Sequence, residues 1–164
     1  MAVNIKQSMA PVGALDARLL VLGSLPGDAS LEAQRYYAHP TNQFWRLLGA
    51  AIGEELAMMD YPARLERLAA RGIALWDVVA DASRIGSLDA AIRGVRPNPL
   101  AEFVESHPRL EAIAFNGRTA AVIGRRSLSA VGGITLIDLP SSSAAFTRPF
   151  AEKLQSWARI GHYS

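Results

Sequence analysis

Four short apolar runs punctuate the chain: Leu19-Leu20-Val21-Leu22, Ile73-Ala74-Leu75-Trp76-Asp77-Val78-Val79, Ala112-Ile113-Ala114-Phe115 and Ile134-Thr135-Leu136-Ile137. Gly, Pro, Asp or Ser follows each closely. Near-continuous runs, rather than alternating ones, predict strands covered on both faces, as in a parallel sheet. Helical spacing fills the intervals. Asn42 to Leu56 sets Phe44, Leu47, Leu48, Ala51 and Ile52 on one face. Asp60 fits an N-cap, with Pro62 in the first turn, and Leu65, Leu68 and Ala69 form a stripe that Gly72 closes. Asn98-Pro99 opens a helix through Leu100, Phe103 and Val104, ending before Pro108. Arg118 to Arg126 forms another. Thr147 is expected to cap a last one, through Phe150, Leu154 and Trp157 to Gly161.

Strands that alternate with helices predict an α/β fold: a three-layer α/β/α sandwich around a short, four-stranded, mostly parallel sheet. Residues 1–17 read as an N-terminal extension and 18–164 as one domain. Ligands of such sheets bind at the carboxyl ends of the strands. That singles out four loops, 23–30, 77–89, 116–118 and 139–147.

Composition narrows the chemistry. The 164 residues are 50% hydrophobic and 20% charged, enough for a real core. There is no cysteine, which excludes disulfides, a thiolate nucleophile, Cys-ligated zinc and iron–sulfur clusters. Three scattered histidines, His39, His107 and His162, argue against a His-rich metal site. Net charge is only +2, but residues 1–82 carry 7 basic and 9 acidic side chains, and residues 83–164 carry 10 and 6. All cations but Lys6 and Lys153 are arginines. Arginine suits phosphate oxygens; codon bias gives the same excess. Met1 to Asp16 lacks an apolar run of signal-peptide length, and no stretch reaches that of a spanning helix. A cytoplasmic protein that does not enter the membrane is expected.

The first loop reads Gly23-Ser24-Leu25-Pro26-Gly27-Asp28-Ala29-Ser30. Its glycines let backbone amides approach a ligand, but it lacks the phosphate-loop Gly-Lys-Ser/Thr ending. Tyr36-Tyr37-Ala38-His39-Pro40-Thr41-Asn42-Gln43-Phe44-Trp45 crowds aromatic rings among polar groups, which suits a planar heterocycle. Taken singly, Asn42 also reads as a helix cap, Phe44 and Trp45 as core, and His39 as a structural histidine. Phe115-Asn116-Gly117-Arg118 either aims an amide at the crevice or simply turns the chain. Ser141, Ser142 and Ser143, in Leu139-Pro140-Ser141-Ser142-Ser143-Ala144-Ala145-Phe146-Thr147-Arg148, either bind a phosphate backbone or form a plain loop. Asp77 reads as a strand-end cap.

Together these loops, with Gly72-Ile73-Ala74-Leu75-Trp76-Asp77 and Gly86-Ser87-Leu88-Asp89, resemble the uracil-DNA glycosylase superfamily, most closely its hypoxanthine-DNA (deoxyinosine) glycosylase branch. The similarity runs from about residue 18 to residue 159. The resemblance implies a base-excision repair enzyme that flips a deaminated base, hypoxanthine or uracil, out of DNA and hydrolyses its N-glycosidic bond, leaving an abasic site. It implies no cofactor, no metal, DNA as partner and a monomer. Leu25 stands where mismatch-specific relatives carry Asn before Pro-Gly, so the resemblance puts the catalytic amide at Asn42. It places the base against Gly23, Ser24, Leu25, Pro26, Gly27, Phe44 and Asn116, with His39, Tyr37 and Asp28 in support. Ser141, Ser142, Ser143, Arg118 and Arg148 would hold DNA, with Arg125 and Arg126 as further phosphate contacts. Asn42 would orient a water and donate to charge developing on the base. Two other readings stand beside this one. One is a binding module of the same fold with weak or no catalysis, favoured by Leu25. The other is a hydrolase of free nucleosides.

Overall fold

The computed structural model describes residues 4–164. Four strands, numbered in chain order, form a wholly parallel sheet: β2 (Leu19–Gly23), β3 (Ile73–Asp77), β6 (Ala112–Asn116) and β7 (Thr135–Leu139), in the order β3-β2-β6-β7. β2 and β6 are buried along their whole length. Successive side chains of a strand face opposite ways. Leu19 and Val21 therefore enter one core, with Phe44, Leu47, Leu48, Leu68 and Trp157. Leu20 and Leu22 enter the other, with Leu100, Phe103, Phe115, Ala120 and Ala121. Helices α2 (Phe44–Ile52), α3 (Tyr61–Ala70) and α6 (Phe150–Trp157) supply the first layer. Helices α4 (Leu100–Ser106) and α5 (Arg118–Ser127) supply the second. The expected three-layer sandwich is present. No helix among the described residues is long and apolar enough to cross a membrane.

Several boundaries differ from the expectation, each for a local reason. The apolar run 73–79 is two strands, because the chain leaves the parallel sheet after Asp77. β4 (Val79–Ser83) joins β1 (Ile5–Gln7) and β5 (Arg93–Pro97) in a second, antiparallel sheet, ordered β1-β4-β5. β5 is exposed throughout and carries no apolar run to reveal it. From Ile5 onward the segment expected as an extension is woven into the structure. Lys6, buried, binds Asp28 and the Gly86 carbonyl, and Val12 bridges to Leu75. Residues 1–3 of that segment lie outside the described residues.

A short helix, α1 (Asp28–Ala33), begins inside the first loop. α2 starts at Phe44, not Asn42, and ends at Ile52 because Gly53 turns left-handed (φ 73°). Asp60 caps α3, its Oδ1 accepting the Ala63 N–H at 2.9 Å. Thr147 does not cap α6, whose N-cap is Pro149; a 3-10 segment, Ala158–Tyr163, continues beyond it.

Candidate active site

The carboxyl ends of the parallel strands open into a cavity of about 520 Å³. All four loops selected from the sequence reach it. Gly23 to Gly27 form one side, Tyr37, His39 and Asn42 another, Asp77, Ser87, Leu88 and Asp89 a third, and Asn116 with Ser141 to Phe146 the last. Such a volume lies within the range of small-ligand sites.

Two backbone amides set the sense of every bond on one wall. The Phe44 N–H donates to the Asn42 side chain at 2.9 Å, so that atom is Oδ1. The Ser142 N–H donates to the Asn116 side chain at 2.9 Å, so that atom is also Oδ1. Asn116 Nδ2 then donates to Ser142 Oγ at 2.9 Å, and Ser142 Oγ donates its one proton to Asn42 Oδ1 at 2.8 Å. The chain Asn116→Ser142→Asn42 is continuous. Asn42 Oδ1 holds two donors, and its Nδ2 is the polar group it offers the cavity. Gln43, not Asn42, is the N-cap of α2; Asn42 Oδ1 still takes the N–H of the first helical residue, so a role at the helix start and a role in the site sit on different atoms of Asn42.

The floor is built differently. Tyr37 Oη and Asp77 Oδ2 are buried with no hydrogen-bond partner. A Cβ on Gly23 would fall 2.6 Å from Asp77 Oδ1 and 2.8 Å from Tyr37 Oη, so only glycine lets these groups converge. Burial pushes the Asp77 carboxyl up to about 7; neighbouring Asp89 adds to the rise and Arg84 opposes it. Burial, with Asp77 alongside, raises the Tyr37 phenol, which stays protonated; neighbouring Asn116 opposes the rise. Asp89 accepts from Ser24 Oγ at 2.6 Å; burial raises its carboxyl too, against that bond and Arg84. Tyr37 sits in the left-handed region (φ 53°), a conformation an aromatic residue adopts only under constraint. Its ring stacks on Phe44, with centroids 3.7 Å apart and planes 10° apart.

The structure brings some of the residues singled out by the resemblance to the cavity and leaves others away from it. Gly23, Ser24, Leu25, Pro26, Gly27, Tyr37, His39, Asn42, Asn116, Ser141, Ser142 and Ser143 all line it. Phe44 does not: it is 0% exposed, beneath Tyr37 and edge-on to Trp45 and Trp157, so the ring at the cavity wall is that of Tyr37. Asp28 is outside the lining, paired with Lys6. Ser142 is 0% exposed, so its hydroxyl serves the wall and not a DNA backbone. His39 Nδ1 accepts the Thr41 N–H at 3.2 Å and lies 2.8 Å from Thr41 Oγ1. Arg118 and Arg126 are exposed on α5. Arg125 pairs with Asp138, and Arg148 lies over the Phe146 ring, 4.0 Å from Glu152.

Two supporting residues carried no sequence signal. Buried Arg84 donates to the Leu25, Pro26 and Gly86 carbonyls and so fixes the first loop. Buried Lys153 donates to Gln43 Oε1 at 2.9 Å and to the Ser143 carbonyl at 3.1 Å, tying the last loop to the start of α2. Asp77 was visible in the sequence, but only as a cap. A polar residue ending an apolar strand at the ligand edge was the one available clue. Among the described residues no cluster of three or more potential metal ligands occurs.

The family model described as the uracil DNA glycosylase superfamily matches residues 10–160. Two curated relatives named hypoxanthine DNA glycosylase, from Methanosarcina barkeri and Methanosarcina acetivorans, are each 40% identical. They align over 153 and 156 residues, covering 93% and 95% of this chain and 96% and 98% of theirs. The solution NMR structure of a Methanosarcina acetivorans protein superposes with a TM-score of 0.86 at 39% identity, covering 96% of both chains.

Proposed function

The chain belongs to the uracil-DNA glycosylase superfamily and is a DNA glycosylase acting on deaminated bases, and from that premise we propose that it excises hypoxanthine, with Asn42 as the group that acts on the departing base. The observation that carries this reading is the sense of the Asn42 amide. Cleavage of the N-glycosidic bond leaves oxocarbenium character on the sugar and negative charge on the base. A donor already aimed at that charge in a walled cavity stabilises it without reorganisation. Asn42 Nδ2 is such a donor.

Base choice rests on the floor. Hypoxanthine presents N1–H and a carbonyl where adenine presents a ring lone pair and an amine. Once ionised, above about pH 7, the Asp77 carboxylate accepts an N–H and repels a lone pair, so in that form it favours the deaminated base. The half-buried Tyr37 ring, which lines the cavity and is backed by Phe44, gives a planar base something to stack on. Ser141, Ser143 and the exposed Arg118 and Arg148 lie on or beside the loops at the mouth, suited to the DNA backbone.

The test is an oligonucleotide with one deoxyinosine or deoxyuridine, incubated with protein and then alkali. Strand breakage at deoxyinosine, absent with Asn42→Ala, is expected. Binding without base release would instead support an inactive damage-binding module. Release from free inosine would support a nucleoside hydrolase.

A further inference from the structure

We propose that Ser142, itself oriented by Asn116, is a positioning residue that locks Asn42 as an obligate hydrogen-bond donor toward the cavity. The inference rests on the reading of Asn42 given above. A primary amide has two ends of nearly equal shape, and rotation by half a turn exchanges donor for acceptor. Here rotation would set Asn42 Nδ2 against two donors, the Phe44 N–H and the Ser142 O–H, and would turn a carbonyl oxygen toward the base. An oxygen there repels the charge that a donor stabilises.

The Phe44 N–H alone would favour one sense, but Ser142, itself fully buried, makes it a two-bond preference at a half-buried side chain. Asn116 is what frees the Ser142 proton for this task. Its Nδ2 donates to Ser142 Oγ, and its Oδ1 takes the Ser142 N–H, so the hydroxyl has one direction left for its proton. The frame around the pair is anchored as well. The Gln43 N–H donates to the Ser142 carbonyl at 2.9 Å, joining the loop to the start of α2, and Trp157 Nε1 donates to the Pro140 carbonyl at 2.9 Å. Asn42 Oδ1, with two donors bound, has no lone pair for a water. Positioning the attacking water through that oxygen, one part of the expected role, is therefore assigned to other groups.

Single-turnover base release from deoxyinosine DNA, with enzyme in excess, tests the relay. Ser142→Ala is expected to slow release roughly tenfold, while affinity for uncleaved DNA changes less than about twofold. Ser142→Thr, which keeps the hydroxyl, should recover most of the rate. Adding Ser142→Ala to Asn42→Ala should change nothing further, because Ser142 acts only through Asn42. Equal slowing in both backgrounds, or none in either, overturns the proposal. Should Ser142→Ala fail to fold, Asn116→Asp serves: two acceptors then compete for the Ser142 proton, and a rate equal to that of the unaltered protein overturns the relay. The side-chain amide signals of Asn42 in ¹⁵N NMR give a readout that needs no substrate. They should shift or broaden in Ser142→Ala, and unchanged signals count against the relay. If the unaltered protein releases no hypoxanthine while those signals do respond, the substrate reading has failed and the relay has not.

Discussion

The two sides of the cavity obey opposite rules. On the wall formed by Asn42, Ser142 and Asn116, both amide oxygens and the serine hydroxyl are held in bonds of 2.8–2.9 Å. On the floor, Tyr37 Oη and Asp77 Oδ2 are buried without partners, and a carboxyl is pushed up to about 7. A satisfied network is stiff and holds one geometry. Unsatisfied buried groups cost free energy that a hydrogen-bonding ligand recovers. The wall thus reads as the part that positions, and the floor as the part that recognises. Substitution should separate the two: wall variants ought to lose rate or stability, and floor variants ought to gain stability as they lose selectivity.

The largest effect is expected at Asn42. Asn42→Ala should reduce base release by roughly 10²–10³-fold, as for loss of one donor to a developing anion, measured in single turnover. Loss of its bond to the Phe44 N–H should cost only about 1 kcal/mol of stability in a urea titration. A variant that unfolds yet keeps its rate per folded molecule would reduce Asn42 to a helix end.

Asp77 should behave in the opposite sense. Its carboxyl stays protonated in the folded state up to about 7, whereas in the unfolded chain it ionises in the ordinary carboxylate range. Between those limits the folded state binds more protons, so stability falls as pH rises. The rise corresponds to a penalty on the order of 4 kcal/mol, complete above about pH 7. Asp77→Asn should therefore be more stable than the unaltered protein near pH 8 and differ little near pH 4. Adenine should be rejected less firmly by that variant. Parallel stability curves across this range would show that Asp77 is not strained by its burial.

The wall has its own control in Asn116→Ala. It strands the Ser142 N–H, which is buried, and should cost about 1–3 kcal/mol in thermal or urea unfolding. A neutral result would mean the loop finds another partner for that amide, and the contrast between wall and floor would weaken.

The parallel sheet was legible because its strands are nearly continuous apolar runs, a signature that burial on both faces imposes. β5, exposed at every position, gave none. The four loops converge as topology requires, since strand carboxyl ends in a parallel sheet share one edge. Which atom of each residue does what was not legible. Phe44 and Tyr37 are both aromatic and seven residues apart, and only packing decides that Phe44 lies underneath. Arg84 reads as a surface cation until three carbonyls surround it. The Asn116–Ser142–Asn42 chain spans 100 residues between its last two members, a separation at which local pattern carries no information.

The smallest expected change is also the sharpest probe of the floor. Tyr37→Phe removes one hydroxyl and leaves the ring stacked on Phe44. Were that hydroxyl bonded within the protein, its loss would cost about 1 kcal/mol or more. It has no partner, so unfolding should instead show a change near zero or a gain of up to about 1 kcal/mol. The oxygen also lies beside Asp77 around the space that Gly23 leaves open. Its removal should therefore alter discrimination between hypoxanthine and adenine more than it alters stability. A clear destabilisation with unchanged discrimination would place the Tyr37 hydroxyl among the structural groups and leave Asp77 as the floor's only reader.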